Sequence, residues 1–176
     1  MARPDSSNYQ PFSGHGTRTG ASHDPRTKPD PPGHWFEPVA EHLGAAYLRY
    51  SFTKGTEQEV VFLVEQLGLE PGMRVLDVGC GPGRHAHRLG RLGLEVHGVD
   101  IAHRFIDLAR VGAPPGVTFE RIDARHLPFD EEFDAVISLC QGAFGLAGGP
   151  GGSGLDPDRT IVEGMYRALR PGDGWR

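Results

Sequence analysis

Cysteine is scarce in this chain: Cys80 and Cys140 are its only two among 176 residues. Two thiols are too few for the disulfide framework of a small secreted scaffold. Long apolar runs are missing as well, since no stretch approaches the roughly 18 residues that span a bilayer. Positive charge is not in surplus either: 18 Lys and Arg face 23 Asp and Glu, for a net charge of −5. That balance provides no global field for a nucleic-acid backbone or an anionic membrane surface. Hydrophobic residues stand at 38%, below the roughly 45 to 50% of an average domain, although that average also counts glycine. A chain of this length has room for one domain rather than two. The expectation is a cytoplasmic protein with no nucleic-acid and no membrane partner.

What is in excess is glycine and proline, 26 and 15 residues, and they are unevenly placed. Residues 1–34 carry Pro4, Pro11, Pro25, Pro29, Pro31 and Pro32 without apolar periodicity, the signature of a disordered arm. The arm lacks the apolar stretch of a secretory signal, and Asp5, Asp24 and Asp30 argue against a transit peptide. His15, His23 and His34 lie too far apart to suggest a metal set, and no metal is expected elsewhere. The folded domain is therefore placed at residues 35–176.

From Trp35 the apolar spacing turns helical. Trp35, Val39, Leu43, Tyr47 and Tyr50 recur along one stripe, with Pro38 in a tolerant first turn. A second helix follows, with Thr56 and Glu59 spaced as a capping box and Gly68 as its stop. The pattern then changes to short β-branched runs alternating with helices. Strands are predicted at 74–78 (RVLDV), 95–99 (EVHGV), 117–122 (VTFERI) and 133–139 (FDAVISL), and helices at 84–92 and 103–111. This βαβ alternation implies an α/β fold, a doubly wound parallel sheet with helices on both faces. After a Gly-rich loop at 142–154, Asp156 caps and Pro157 opens a last helix.

The strongest chemical signal follows the first strand, in Asp77-Val78-Gly79-Cys80-Gly81-Pro82-Gly83. Three glycines where a buried strand turns into a helix let a ligand approach the backbone closely, beside free helix N–H groups. A tight turn without a ligand is the plain alternative. A dinucleotide fingerprint needs a third glycine at position 84, where this chain has Arg84, which weakens a nicotinamide-type nucleotide reading. Asp100 closes the second strand, where a carboxylate accepts both ribose hydroxyls or caps the following helix. Asp123 follows the third strand, with small Ala124 beside it. It can hold an adenine amino group or serve as an ordinary loop aspartate.

Together these residues resemble the class I S-adenosylmethionine-dependent methyltransferases, over roughly residues 56–174. The resemblance rests on DVGCGPG at 77–83, Asp100, Asp123-Ala124 with Leu127-Pro128-Phe129, Phe133-Asp134-Ala135-Val136, and Leu169-Arg170-Pro171-Gly172. It implies a Rossmann-like domain with strand order 3-2-1-4 present, S-adenosylmethionine as cofactor, and methyl transfer to a small-molecule acceptor. By the same resemblance Asp77, Gly79, Cys80 and Gly81 line the methionine end of the cofactor, and Asp100 holds the ribose. Ile101 lies beside the adenine, Asp123 and Ala124 meet it from the other side, and Leu139 forms the floor near the methyl group. It also makes strands one and four neighbours, which brings Cys80 and Cys140 close as reduced thiols.

Methyl transfer asks little of side chains, so no catalytic residue is assigned; His126, beside Asp123, is the weak candidate for a base. His85 and His87 are two apart on a helix and face different directions. Trp35, Tyr47 and Tyr50 read equally as a lid over the cofactor or as core. The family normally continues past the Leu-Arg-Pro-Gly turn into strands 5–7, and this chain stops before them. The fourth strand is therefore expected to be an exposed edge offering self-association. Two alternatives remain open at this stage: a non-catalytic S-adenosylmethionine-binding or regulatory protein, and an NAD-type nucleotide-binding domain.

Overall fold

A computed structural model describes residues 34–139, 143–145 and 156–172. The arm ahead of His34, most of the 142–154 loop, Cys140, the side chain of Asp156 with its expected cap, and residues 173–176 lie outside the described residues. Four strands form one parallel sheet in the order β3-β2-β1-β4: β1 Arg74–Val78, β2 Glu95–Asp100, β3 Val117–Arg121 and β4 Ala135–Ile137. Central β1 pairs Asp77 with Gly98 of β2 and with Ile137 of β4. Its RVLDV sequence is buried from Val75 to Val78, as an inner parallel strand covered on both faces requires.

Period-two alternation sends the side chains into two cores. Val75, Val96, Val117, Phe119, Ala135 and Ile137 join apolar residues of α2 (Thr56–Leu67), α3 (Arg84–Arg91) and α4 (His103–Arg110). On the opposite face, Leu76, Val78 and Val99 pack with Leu127, Phe133 and Ile161 of α5 (Asp156–Ala168). The doubly wound α/β arrangement and the 3-2-1-4 order are thus present. Gly98 makes this packing possible: a Cβ there would lie 2.6 Å from the Phe119 ring and 3.0 Å from Cys80 Sγ.

Local details depart from the sequence reading at three places. The N-terminal helix is short: α1 (Glu37–Leu43) stops at Gly44, whose φ of 45° suits a residue without a side chain. Tyr47 lies on a 3-10 turn beyond it, and Tyr50 follows that turn. The capping box at α2 does not form, because a 3-10 turn leads directly into the helix. Thr56 Oγ1 donates to Thr53 O at 2.6 Å, and Glu59 instead receives Arg84 and His85 from α3. The fourth strand keeps only three residues. Phe133 is drawn to the end of α5, its N–H donating to Ala168 O, and the Asp134 carboxylate accepts from the Arg74 N–H and from Arg170. Leu139 therefore lies beyond β4.

Candidate functional site

The strand order reverses between β1 and β4, and ligands of open α/β sheets bind outside the strand C-termini at such a switch point. The glycine loop meets this place directly. Gly79 and Gly81 have φ of 73° and 54°, in the left-handed region that glycine adopts at little cost. The N–H groups of Gly79 and Cys80 both donate to Val99 O, at 2.8 and 3.0 Å, which ties the loop to the end of β2.

Asp100 is the hinge of this arrangement. Its Oδ2 accepts the Gly81 N–H and its Oδ1 the Ala102 N–H, each at 2.8 Å. The sequence left ribose holder and helix cap as alternatives; one backbone bond per oxygen orients the group while leaving a further lone pair on each. The side chain is buried, and burial raises its carboxyl to about 6, with the Ala102 and Gly81 hydrogen bonds opposing.

Asp77 lies deeper still, 1% exposed, with Oδ2 lacking any hydrogen-bond partner. Burial, and then the charge of Asp100, raises it to about 7, against the pull of Arg84. A second unpartnered buried atom, Ser138 Oγ, follows β4. The third such atom among the described residues, His97 Nε2 on β2, lies at mid-strand away from the switch point, whereas Asp77 lies on β1 and Ser138 just past β4, the strands that border it. Buried polar groups are normally satisfied, so both fit a site completed by a ligand. Ser138 escaped the sequence reading because a lone serine after an apolar run carries no distinguishing signal.

On the far side of β2, Ile101 O accepts Arg121 Nε at 2.9 Å. Asp123 and half-buried Ala124 stand at a 3-10 turn after β3. The Asp123 carboxylate is already engaged: Arg125 Nε lies 2.9 and 3.0 Å from its two oxygens, Nη2 reaches Oδ2 at 2.5 Å, and the Arg125 N–H reaches Oδ1 at 3.0 Å. Burial opposes ionisation here, but the Arg125 hydrogen bonds and charge hold the carboxyl below its ordinary range. Arg125 had not been singled out in the sequence, where an i, i+2 pair has no periodic signature. The His126 side chain is 78% exposed, with Nδ1 3.8 Å from Asp123 Oδ2. Half-buried Leu139 packs on the core shared with Cys80, and the residues after it lie outside the described set. Cys80 is buried; burial and the nearby Asp100 and Asp77 push its thiol well above the ordinary value, which keeps it protonated and unreactive.

The aromatics of the N-terminal segment divide between core and surface. The Tyr47 ring lies 4.9 Å from that of Phe105 and 3.9 Å from where a Gly81 Cβ would stand, so Tyr47 walls the loop while packing in the α1–α4 cluster. Tyr50, 45% exposed, stacks on Phe52, and Trp35 sits between His34 and Phe36. Among the described residues no group of three or more His, Cys, Asp or Glu is arranged to hold a metal ion, and no helix is long and apolar enough to cross a membrane.

The parallel sheet in the order 3-2-1-4 with its glycine loop after β1 defines a Rossmann-like domain. Residues 75–172, more than half of the chain, match the family described as methyltransferase domain, and the chain belongs to that family. It is 34% identical over 118 residues to the methyltransferase GfsG of Streptomyces halstedii, covering 62% of this chain and 38% of the relative. A solved S-adenosylmethionine-dependent methyltransferase from Geobacter sulfurreducens, in complex with S-adenosyl-L-homocysteine, is 29% identical with a TM-score of 0.51, over 65% of this chain and 45% of that one. The [4+2]-cyclase SpnF is 26% identical with a TM-score of 0.55, over 70% and 44%. The chain spans less than half the length of the first curated relatives it matches.

Proposed function

We propose that this protein binds S-adenosylmethionine and transfers its methyl group to a small-molecule acceptor in the cytoplasm. The observation that carries the reading is the Asp100 carboxylate, buried and anchored by the Gly81 and Ala102 N–H groups with a lone pair to spare on each oxygen. That disposition suits two ribose hydroxyls in charge-assisted hydrogen bonds. Asp77, Gly79, Cys80 and Gly81 would then surround the methionine end, with Ile101 and Ala124 flanking the adenine. Asp77 fits a cationic ligand: an unpartnered buried carboxylate gains from a positive charge what burial takes from its ionised form.

The cofactor supplies an electrophilic sulfonium methyl, so the protein's share is to hold the acceptor in line and exclude water. No side chain is required as a base, and exposed His126 is not given that role. A second reading, an adenosyl-binding domain without methyl transfer, draws support from the neighbour of like fold named as a cyclase. Self-association is also proposed through the outer side of β4, which pairs only with β1 among the described strands. Sedimentation that finds only monomer across a wide concentration range would dismiss it.

Calorimetric titration with S-adenosylmethionine, with Asp100→Ala as the control, tests the main reading. Loss of a charged hydrogen-bonding group is expected to cost at least about 1.5 kcal/mol, or roughly ten-fold in affinity. Equal binding by the folded variant would refute the assignment. Binding without transfer across a broad acceptor panel would favour the second reading.

A further inference from the structure

A cavity of about 520 Å³ opens between the 3-10 turn at Ser51–Gly55, the start of α2, the length of α3 and the end of α4. Its charged lining is strongly one-sided. Lys54, Arg84, Arg88 and Arg91 face into it against the single carboxylate of Glu57. The three arginines stand at i, i+4 and i+7 of α3 and so form one helical stripe. That helix, RHAHRLGR, contains no acidic residue, in a chain whose net charge is −5.

The cations are only partly neutralised. Arg88 pairs with Glu57 at the rim. The Arg84 side chain is 8% exposed and is fixed by Thr56 Oγ1 at 2.7 Å and Glu59 Oε2 at 2.5 Å. Lys54 and Arg91, both exposed, form no ion pair among the described residues. Among the described residues the carboxylates paired with these four cations are Glu57 and Glu59. Apolar Leu48, Leu108 and Val111 complete the lining, and because Leu48 and Val111 are themselves exposed the cavity is an open groove that a solvated anion can enter. Charge-assisted hydrogen bonds to such an anion are stronger than neutral ones. A cavity of this volume is of small-ligand size.

We propose that this cavity is a second binding site, for a small multiply charged anion of the phosphate class. It is separate from the proposed cofactor site, because Asp77, Gly79, Cys80, Gly81, Asp100, Ile101, Asp123, Ala124 and Leu139 are all absent from its lining. It shares only a wall with that site, since Pro82 and Gly83 continue the glycine loop into the cavity. The proposal stands independently of the methyl-transfer reading. Arg84 is the fixed, buried contact and Arg91 and Lys54 are the unpaired charges that close on the ligand.

Inorganic pyrophosphate titrated against the whole chain, at ionic strength held constant with sodium chloride, is the test. Saturable binding with one site is expected, weakened at least about ten-fold by Lys54→Glu combined with Arg91→Glu. Both residues are exposed, so the variant keeps its fold, and its affinity for S-adenosylhomocysteine should be unchanged. Pyrophosphate binding that survives in the double variant would overturn the proposal. So would an effect that chloride reproduces at equal ionic strength, or binding of a single-stranded oligonucleotide where pyrophosphate fails.

Discussion

Replacing Asp77 by asparagine should make the protein more stable at pH 8 and less so, relative to wild type, at pH 5. The folded chain holds the Asp77 proton up to about pH 7, whereas the ordinary value is 3.8. Between those limits the unfolded chain releases a proton that the folded chain retains. The contribution of the neutral carboxyl is therefore fully present below about pH 4 and is lost as pH rises to 7. At 1.36 kcal/mol per unit, a rise from 3.8 to about 7 costs wild type about 4 kcal/mol, of which about 3 falls between pH 5 and pH 7. Asp100, raised to about 6, adds a loss of the same sign below that pH.

Asparagine has nearly the same shape and does not titrate, so it removes the Asp77 share of the slope. It leaves a buried amide in place of a buried carboxyl, at a cost of about 1 to 3 kcal/mol independent of pH. The expected net gain at pH 8 is then about 1 to 3 kcal/mol, changing to a loss near pH 5. Urea unfolding of both proteins at pH 5, 6, 7 and 8 measures this. A difference in unfolding free energy that stays constant across the series would refute the account of a buried, neutral Asp77, whichever protein is the more stable.

Two further perturbations probe the surroundings. Arg125→Ala frees both Asp123 oxygens, and S-adenosylhomocysteine should bind about two- to five-fold more tightly, in line with the modest worth of a partly exposed pair; weaker binding in calorimetry would instead assign Arg125 itself to the ligand. Gly98→Ala forces a methyl group to within 2.6 Å of the Phe119 ring and should destabilise the fold by about 1 to 3 kcal/mol, read as a lowered urea midpoint with an unchanged slope. An unaltered midpoint would mean that Phe119 moves freely, against its buried position.

The features legible in the sequence share one property: their signals are local. RVLDV, EVHGV and VTFERI announce strands by β-branched runs, the three glycines announce a turn, and Asp100 closes a strand next to it. What was not legible depends on partners far along the chain. The capping box at Thr56 and Glu59 fails where a 3-10 turn runs into the helix, and a guanidinium 25 residues beyond Glu59 takes the carboxylate left over. Strand four shortens because Arg74 and Arg170, 60 and 36 residues from Asp134, hold that carboxylate and turn the chain. Gly98 reads as a weak strand residue until Phe119 is seen lying against it. The Arg125 pair is close in sequence but follows a turn geometry rather than a helical or strand period.

The N-terminal segment is fastened to the elements that carry Asp100 and the glycine loop. Glu37 of α1 pairs with Arg121 of β3 and accepts the His103 N–H at 3.1 Å, while Arg121 also holds Ile101 O. Phe36 and Tyr47 clasp Phe105 of α4 edge-on and tilted, at 5.9 and 4.9 Å. Ion pair, backbone bond and aromatic cluster fasten α1 to the elements that present Asp100 and the glycine loop. A segment held at several independent points opens only by breaking them together, so the contacts favour α1 as a fixed part of the core on this side. On the β1–β4 side, Asp77 Oδ2 and Ser138 Oγ have no hydrogen-bond partner among the described residues. Substituting Ser138 should accordingly disturb acceptor or cofactor affinity more than stability, whereas Phe105→Ala, which empties the clasp, should cost about 3 to 5 kcal/mol of folding energy.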